Sequence, residues 1–247
     1  RYNTFMTRPF NPQRLQFYMT IPTPCPYLEG QMERKIFTQI EPDTGAALND
    51  YLTHSGFRRS QNVLYRPACE TCRECRSLRV LTGEFQARKS HRRTVARNAD
   101  LDMTVCEPIA TREQYNLLRT YLLSRHAGGG RADMDMVRYE MMVEDSASAT
   151  TISEYRDGEG RLVACVLIDH MSDGLSMVYS FFDPEMTGRS LGKFMIIDHI
   201  TRCKEAGMPY LYLGYWVENS PKMDYKADYR PAEILGVAGW AEMEDEG

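Results

Sequence analysis

The arrangement of apolar segments between residues 149 and 216 limits most strongly how this chain can fold. Asp-Gly turns separate three strand-like segments, and turns of this kind join neighbouring antiparallel strands. A helical segment and one more strand follow, and this order predicts an α+β fold in which an antiparallel meander precedes a helix. The five segments are Ala149–Tyr155, Leu162–Asp169, Leu175–Phe182, Ser190–Ala206 and Tyr210–Trp216.

Helical and strand-like patterns alternate before this region. Thr111-Arg-Glu-Gln114 is a capping box, in which hydroxyl and amide oxygens satisfy backbone N–H groups at the start of a helix. The three glycines at 128–130 predict a flexible loop. The other predicted elements are helices over Thr44–His54, Arg88–Asp100 and Met134–Glu144 and strands over Asn62–Arg66 and Ser77–Leu81.

The length of 247 residues predicts two domains, because single domains commonly hold about 100–150 residues. The pattern changes after Asp100, so we expect one domain over residues 1–105 and a second over residues 106–241, followed by an acidic tail at 242–247. No apolar run approaches the roughly 20 residues that span a bilayer, and residues 1–20 lack the apolar core of a secretion signal. We therefore expect a cytoplasmic protein without a membrane partner.

The net charge of −4 hides an uneven distribution. Residues 1–98 contain 16 Lys and Arg against 8 Asp and Glu, whereas residues 99–247 contain 14 against 26. A basic half can bind a polyanion while the acidic half stays clear of it. The densest cations are Arg88, Lys89, Arg92, Arg93 and Arg97. If this segment is helical, Lys89, Arg93 and Arg97 are four residues apart and form one basic stripe. Such a stripe is typical of a contact with a nucleic-acid backbone or of a solvated surface.

Cysteine spacing points to a second candidate site. Cys69, Cys72 and Cys75 are separated by two residues each, and Cys25 lies upstream. Without a secretion signal, reduced thiols or a metal site are expected rather than disulfides. Thiolates at this spacing can hold zinc or an iron–sulfur cluster, with Cys25 as a fourth ligand, and partly buried free thiols are the alternative.

The entry into the helix at residue 190 is a third candidate. Asp183 and Pro184 end a strand, and Gly188-Arg-Ser-Leu-Gly192 opens the helix, which resembles the strand–loop–helix of N-acetyltransferase-like folds. There, backbone N–H groups at the helix N-terminus hold an anionic donor, although a tight turn without a ligand has the same pattern. Phe194 stands where a coenzyme A loop would have glycine, which argues against coenzyme A.

The segment Trp216–Tyr229 places cations and a phenol on an irregular stretch of chain. Lys222, Tyr225 and Lys226 follow a proline within ten residues of the last strand. Such cations can hold a carboxylate, or they can be exposed surface.

Taken together, several long segments resemble the bacterial aspartate/glutamate leucyltransferases, which are relatives of the eukaryotic arginyl-tRNA–protein transferases. One departure from the eukaryotic relatives is that Cys25 is followed by Pro26, Tyr27 and Leu28, where they carry Cys-x-x-Cys. The segments that carry the resemblance cover most of the chain: Cys25–Ile40, Gly56–Val80, Arg88–Leu101, Tyr179–Ile200 and Tyr210–Pro231.

The resemblance implies an N-terminal transferase domain followed by an acyl-CoA N-acyltransferase (GNAT)-like domain with a mixed, mainly antiparallel sheet. It implies transfer of leucine from leucyl-tRNA to proteins or peptides that begin with Asp or Glu, which marks them for N-degron-dependent degradation. An aminoacyl ester is already activated, so no cofactor is required. Transfer of arginine, a coenzyme A-dependent acyltransferase and a metal-stabilised RNA-binding module are the alternatives.

Roles for individual residues follow from this implied reaction. Asp183 is the expected base or amine anchor, and Tyr225 is expected to donate to the oxyanion or the ribose. Lys222, Lys226 and Arg230 are expected to hold the acceptor's Asp or Glu side chain. The donor loop consists of Gly188, Arg189, Ser190 and Gly192, and the tRNA backbone would contact the basic stripe around Arg93.

Overall fold

The computed structural model describes residues 15–125 and 134–244. The strands are β1 (Tyr18–Met19), β2 (Thr23–Pro24), β3 (Met32–Glu33), β4 (Lys35–Gln39), β5 (Arg58–Ser60), β6 (Val63–Pro67), β7 (Arg76–Leu81), β8 (Asp102–Cys106), β9 (Thr150–Arg156), β10 (Leu162–Met171), β11 (Gly174–Phe182), β12 (Tyr210–Trp216), β13 (Ala232–Gly236) and β14 (Gly239–Glu242). The α-helices are α1 (Gly45–His54), α2 (Lys89–Arg97), α3 (Arg112–Arg125), α4 (Met136–Glu144) and α5 (Leu191–Glu205), and short 3-10 helices cover Thr187–Arg189 and Asp224–Asp228.

A large sheet of eight strands forms the centre of the molecule, in the order β14-β13-β7-β12-β11-β10-β9-β8. Its neighbours pair antiparallel, except that β11 and β12 run parallel and are joined through α5. The predicted α+β class, with a mixed and mainly antiparallel sheet, is confirmed. The predicted meander of β9, β10 and β11 before a helix and a further strand is confirmed as well.

Residues up to 106 contribute to three sheets. β2 and β3 form a two-stranded sheet, and β1, β4, β6 and β5 form a small sheet that packs with α1. β7 lies inside the large sheet, and β8 forms one of its edges. The two predicted domains therefore share the large sheet. A division at residue 105 falls within β8, and the domain limits stay a prediction.

Apolar side chains cover the large sheet on both faces. On one face, α5 packs Met195, Ile197 and Ile200 against the strands. On the other face, α3 and α4 bury Leu118 and Tyr139. Burial of this kind is what the helical spacing of apolar residues predicted.

The capping box at the start of α3 is confirmed in atomic detail. The Thr111 backbone N–H donates to Gln114 Oε1 at 2.9 Å, and the Gln114 N–H donates to Thr111 Oγ1 at 3.2 Å. The glycine loop at 128–130 and the last three residues of the acidic tail lie outside the described residues. In the part of the chain that is described, no helix has the length and apolar character to cross a membrane.

A buried ion pair fastens the small sheet to the large one. Arg59 of β5 donates to both carboxylate oxygens of Asp169 of β10 at 2.6 Å, and each side chain is only 1% exposed. Thr150 Oγ1 and Asn49 Nδ2 also donate to this carboxylate, at 2.7 and 3.0 Å. Hydrogen bonds from protein groups thus replace water around the Asp169 carboxylate. The ion pair holds β5 in a fixed position beside β10 and β11.

Candidate active site

The candidate active site lies where the two parallel strands of the large sheet separate. β11 and β12 pair only over the first three residues of each strand, with Gly174 opposite Tyr210 at the start. Beyond Ser176 the strands diverge, and the gap between them is open to side chains from other elements. Two adjoining cavities occupy this region.

The first, here called the loop cavity, has a volume of about 840 Å³ and lies beside the start of α5. Its walls are mainly apolar, and none of its described lining residues is a carboxylate. The residues that line it are Tyr121, Ser124, Ser180, Phe182, Pro184, Met186, Thr187, Ser190, Leu191, Gly192, Lys193, Ile196 and Tyr225.

The second, here called the cationic cavity, has a volume of about 310 Å³ and fills the gap between β11 and β12. Arg58, Lys222 and Lys226 line it, together with several tyrosines and no described carboxylate. A group with negative charge would therefore be favoured there. Four residues belong to both cavities and mark the boundary between them: Tyr121, Ser180, Ile196 and Tyr225.

Lys226 is the most deeply buried cation of the site, with 7% of the residue exposed. Its Nζ donates to the backbone carbonyl of Tyr215. Burial, reinforced by the positive charge of Arg58, lowers the pKa of the Lys226 ammonium to about 7. Lys226 is therefore protonated only in part at neutral pH.

Lys222 and Tyr225 lie nearer to the rim of the cationic cavity. Lys222 Nζ donates to the backbone carbonyl of Pro26 at 2.9 Å, which ties the segment after β12 to the loop that carries Cys25. Tyr225 is 43% exposed and faces both cavities. Tyr27 lines the same cavity, and burial raises its pKa to about 12, so that it is a neutral phenol.

The predicted donor loop divides into two pairs of residues. Ser190 and Gly192 line the loop cavity, and Ser190 adopts the left-handed conformation (φ 54°) at the N-cap of α5. Gly188 and Arg189 turn away towards α2, where Arg189 forms an ion pair with Asp100 at 2.7 Å. A methyl group on Gly192 would lie 3.2 Å from the Phe182 ring, so glycine keeps this wall of the cavity open.

The predicted basic stripe lies on α2, beside the donor loop. Arg88, Lys89, Arg92, Arg93 and Arg97 are all exposed. Arg97 Nη1 donates to the Gly188 carbonyl, and Asn98 Nδ2 donates to the Arg189 carbonyl at 2.8 Å. The structure therefore connects the exposed cations of α2 directly to the loop that borders the first cavity.

Two residues predicted for the site lie elsewhere. The Asp183 carboxylate accepts hydrogen bonds from Arg161 Nη1 at 3.2 Å and from the Glu185 N–H at 2.9 Å, and Asp183 lines neither cavity. Arg230 donates to the backbone carbonyls of Ala227, Met243 and Glu244, in a separate cavity of about 640 Å³. The roles assigned to both from sequence stay predictions.

The four cysteines singled out by their spacing are neighbours in space. Burial, together with the thiols of Cys25, Cys69 and Cys72, raises the pKa of Cys75 to about 12. Each of them is a free thiol. Within the described residues, however, no group of three or more His, Cys, Asp or Glu side chains is arranged so that it could hold a metal ion. The metal site predicted from the cysteine spacing stays a prediction.

Sequence reasoning missed several residues of the site. Arg58 comes from β5 in the small sheet, and Tyr121 comes from α3, so both reach the cavities from elements distant in sequence. Ser180 faces both cavities from β11. Nothing in the adjacent arginines at 58–59 indicates which of them enters the site. In the structure, Arg59 forms the buried ion pair and Arg58 lines the cationic cavity.

Comparison with known proteins shows the family of the chain. Residues 23–93 match the family model described as arginine-tRNA-protein transferase, N terminus, and residues 113–236 match the model of the C terminus. Proteins named aspartate/glutamate leucyltransferase are 53% identical over 241 residues in Bradyrhizobium sp. strain BTAi1 (94% of this chain, 93% of that protein) and 51% identical over 243 residues in Phenylobacterium zucineum (96% and 95%).

Solved structures resemble the chain more distantly. L-PGS from Bacillus licheniformis aligns with a TM-score of 0.44 and 18% identity, over 58% of this chain and 45% of that one. FemX aligns with a TM-score of 0.44 and 10% identity, over 76% of this chain and 64% of that one. On the strength of the family models and the close relatives, the chain belongs to the arginine-tRNA-protein transferase family.

Proposed function

We propose that the protein transfers leucine from leucyl-tRNA to the N-terminal α-amine of proteins or peptides that begin with Asp or Glu. The observation that carries this proposal is the contact between the loop cavity, whose walls are mainly apolar, and the cationic cavity, neither lined by a described carboxylate. A leucine side chain suits the first and an acidic N-terminal residue suits the second. The names of the close relatives support the same donor and acceptor.

The reaction is an aminolysis of an ester. The neutral amine attacks the leucyl carbonyl, a C–N bond forms, the C–O bond to the ribose breaks, and the amine proton passes to the ribose oxygen. The ester is already activated, so the protein needs to align the reactants and stabilise the oxyanion. The cationic cavity also favours the neutral form of the α-amine, because nearby positive charges disfavour an ammonium ion.

Tyr225 is our candidate donor to the oxyanion or the ribose, because it borders both cavities at the place where amine and ester would meet. Lys222 and Lys226 are proposed to attract the acceptor carboxylate. Asp183 is proposed to act indirectly, through its contacts with Arg161 and the turn into the donor loop. In that role, Asp183→Asn would weaken the binding of leucyl-tRNA and leave the pH dependence of the reaction nearly unchanged.

The exposed cations of α2 are proposed to hold the tRNA backbone. The Arg97–Gly188 hydrogen bond supports this assignment, since it links the stripe to the donor loop, whose Ser190 and Gly192 line the cavity in which the leucyl ester would lie. Because each neutralised phosphate releases counterions, binding of tRNA should weaken steeply with salt. The need for leucyl-tRNA also leads us to propose a cytoplasmic location, and the product would be a destabilising N-terminus read by N-degron-dependent degradation.

The loop cavity favours leucine over arginine as the donor. A pocket for an arginine side chain would carry a carboxylate, whereas Lys193 is the charged group among the described lining residues. Coenzyme A is less well supported, because Phe194 is packed in the core in place of the expected glycine. An RNA-binding module without catalysis would leave the cationic cavity unused.

A transfer assay tests the proposal. Purified protein is incubated with leucyl-tRNA, arginyl-tRNA or acetyl-coenzyme A and with peptides that begin with Asp, Glu, Arg or Ala. We expect transfer only from leucyl-tRNA to the Asp and Glu peptides. Transfer from arginyl-tRNA or acetyl-coenzyme A but not from leucyl-tRNA would replace the proposal with the corresponding alternative, and no transfer at all from any donor would reject it.

We propose no catalytic step for a metal. The four clustered cysteines remain candidates for a structural zinc or iron–sulfur site, with thiolate as the expected ligand in either case. The described geometry does not match a metal site, and the reaction above needs none. Elemental analysis of purified protein, compared with a Cys72→Ser variant, tests occupancy: equal metal content in the two samples would remove Cys72 from the set.

A further inference from the structure

Arg58 is placed differently from every other cation of the site. Its side chain leaves the small sheet and enters the gap between β11 and β12, where Nη2 donates to the Met177 carbonyl at 2.9 Å. Met177 is the first residue of β11 beyond the parallel pairing, so the guanidinium takes the place of β12 as hydrogen-bond partner. A methyl group on Gly214 would overlap Arg58 Nη1, so the glycine of β12 makes room for it.

This position leaves most of the guanidinium available to a ligand. An arginine side chain has five N–H donors in a planar fork. In the described part of the chain, the bond to Met177 is the one hydrogen bond of this side chain. The guanidinium carbon also lies 6.0 Å from the centre of the Tyr215 ring, which supports it from the side. Arg58 is one of the residues that line the cationic cavity.

The two lysines of the cavity are less suited to recognise a carboxylate. Lys226 uses Nζ to bind the Tyr215 carbonyl, and its lowered pKa of about 7 leaves it only partly charged at neutral pH. Lys222 uses Nζ to bind Pro26 at the rim. A guanidinium stays charged throughout the physiological range and matches a carboxylate with two parallel hydrogen bonds.

We propose that Arg58 is the specificity-determining residue for the acceptor: its guanidinium binds the side-chain carboxylate of an N-terminal Asp or Glu. The inference rests on the proposed function and names the group that selects its acceptor. Asn and Gln have the same shape without the charge, and they would leave the guanidinium without an anionic partner. The cavity of about 310 Å³ has room for a side chain of either length.

The test compares peptides that begin with Glu and with Gln, and the same pair with Asp and Asn. In Arg58→Met we expect kcat/KM for the Glu peptide to fall about 10- to 100-fold, because the variant loses the hydrogen bonds between the guanidinium and the peptide carboxylate. The value for the Gln peptide should change little, and so should KM for leucyl-tRNA. The preference for Glu over Gln therefore collapses, whereas general damage to the fold would lower both values together.

Arg66→Met is the matched control. Arg66 lies on the neighbouring strand β6, packs over Phe57 and donates to the Ser55 carbonyl, and it lines neither cavity. This variant should keep the wild-type preference. Arg58→Lys should recover part of the activity on the Glu peptide, because it restores charge without the planar fork.

The outcomes separate this inference from the proposed function. If the wild-type protein transfers leucine and Arg58→Met keeps the full Glu-over-Gln preference, the role of Arg58 is rejected and the function stands. If the wild type transfers nothing, the function itself fails. Should Arg58→Met not fold, the wild-type protein is treated with phenylglyoxal: the Glu peptide should protect Arg58 and the Gln peptide should not, and equal protection overturns the inference.

Discussion

Replacing Asp169 by Asn tests whether the buried ion pair holds the two sheets together. The substitution keeps the size of the side chain and removes its charge, so the Arg59 guanidinium, 1% exposed, loses its anionic partner. Breaking such a pair by removing one member costs about 3–5 kcal/mol. For a chain of this size each kcal/mol shifts the melting temperature by about 2–4 °C, which predicts a decrease of roughly 6–20 °C.

The assay is thermal and urea unfolding followed by circular dichroism. Glu113→Gln is the matched control, because it makes the same carboxylate-to-amide change in a pair with Arg156 in which the Glu113 side chain is 52% exposed. Exposed pairs contribute about 0–1 kcal/mol, so the control should unfold close to the wild type.

The double variant Arg59→Met with Asp169→Leu completes the test. It removes both charges together, and we expect it to regain most of the stability that Asp169→Asn loses, since no buried charge is left unpaired. The reasoning is refuted if Asp169→Asn unfolds no earlier than Glu113→Gln, or if the double variant is less stable than Asp169→Asn.

Three further predictions concern the site. Replacing Arg92, Arg93 and Arg97 by Ala should raise KM for leucyl-tRNA and leave KM for the peptide unchanged. The association constant for tRNA should also depend less steeply on salt, with the magnitude of the slope of log K against log salt reduced by about 3. Equal effects on both substrates would contradict the role of α2. The pKa of Lys226 is about 7 in the native protein and 10.5 in the unfolded chain. From pH 7 upwards the unfolded chain therefore binds more protons than the native protein. Because of this difference, the free energy of unfolding should rise with pH, by at most about 1.4 kcal/mol per pH unit. Measured by urea unfolding between pH 7 and 9, Lys226→Met should lose this rise, and identical slopes in the two proteins would refute it. Gly214→Ala, at φ 79°, should cost about 1–2 kcal/mol of stability and displace the guanidinium beside it, raising KM for a Glu peptide; an unchanged KM in steady-state assays would show that the guanidinium tolerates the methyl group.

Local patterns in the sequence predicted the elements of the second half well. The capping box at Thr111 and the Asp-Gly turns fix helix and strand boundaries through neighbouring residues, so they can be recognised without knowledge of the fold. β13 and β14 were missed, because Trp216–Tyr229 reads as irregular chain and the short strands after it pair with partners far away in sequence.

The site was harder to predict than the fold. Lys222, Tyr225 and Lys226 were recognised from one short segment, and the structure places all three around the cationic cavity. Arg58 carried no local sign of its position, since it is brought there by the pairing of the small sheet and by the ion pair of its neighbour Arg59. Side chains that meet only through long-range packing cannot be assigned from spacing along the chain.

The position of β7 has a consequence for how the protein is made. This strand is flanked by β12 and β13, whose residues leave the ribosome more than a hundred residues later. At about 5–20 residues per second, β7 waits several seconds with both edges unpaired. Loop closure over such distances is slow, and neither half can complete the large sheet alone. Fragments cut near residue 105 should therefore aggregate when expressed separately and recover structure only when both are synthesised together.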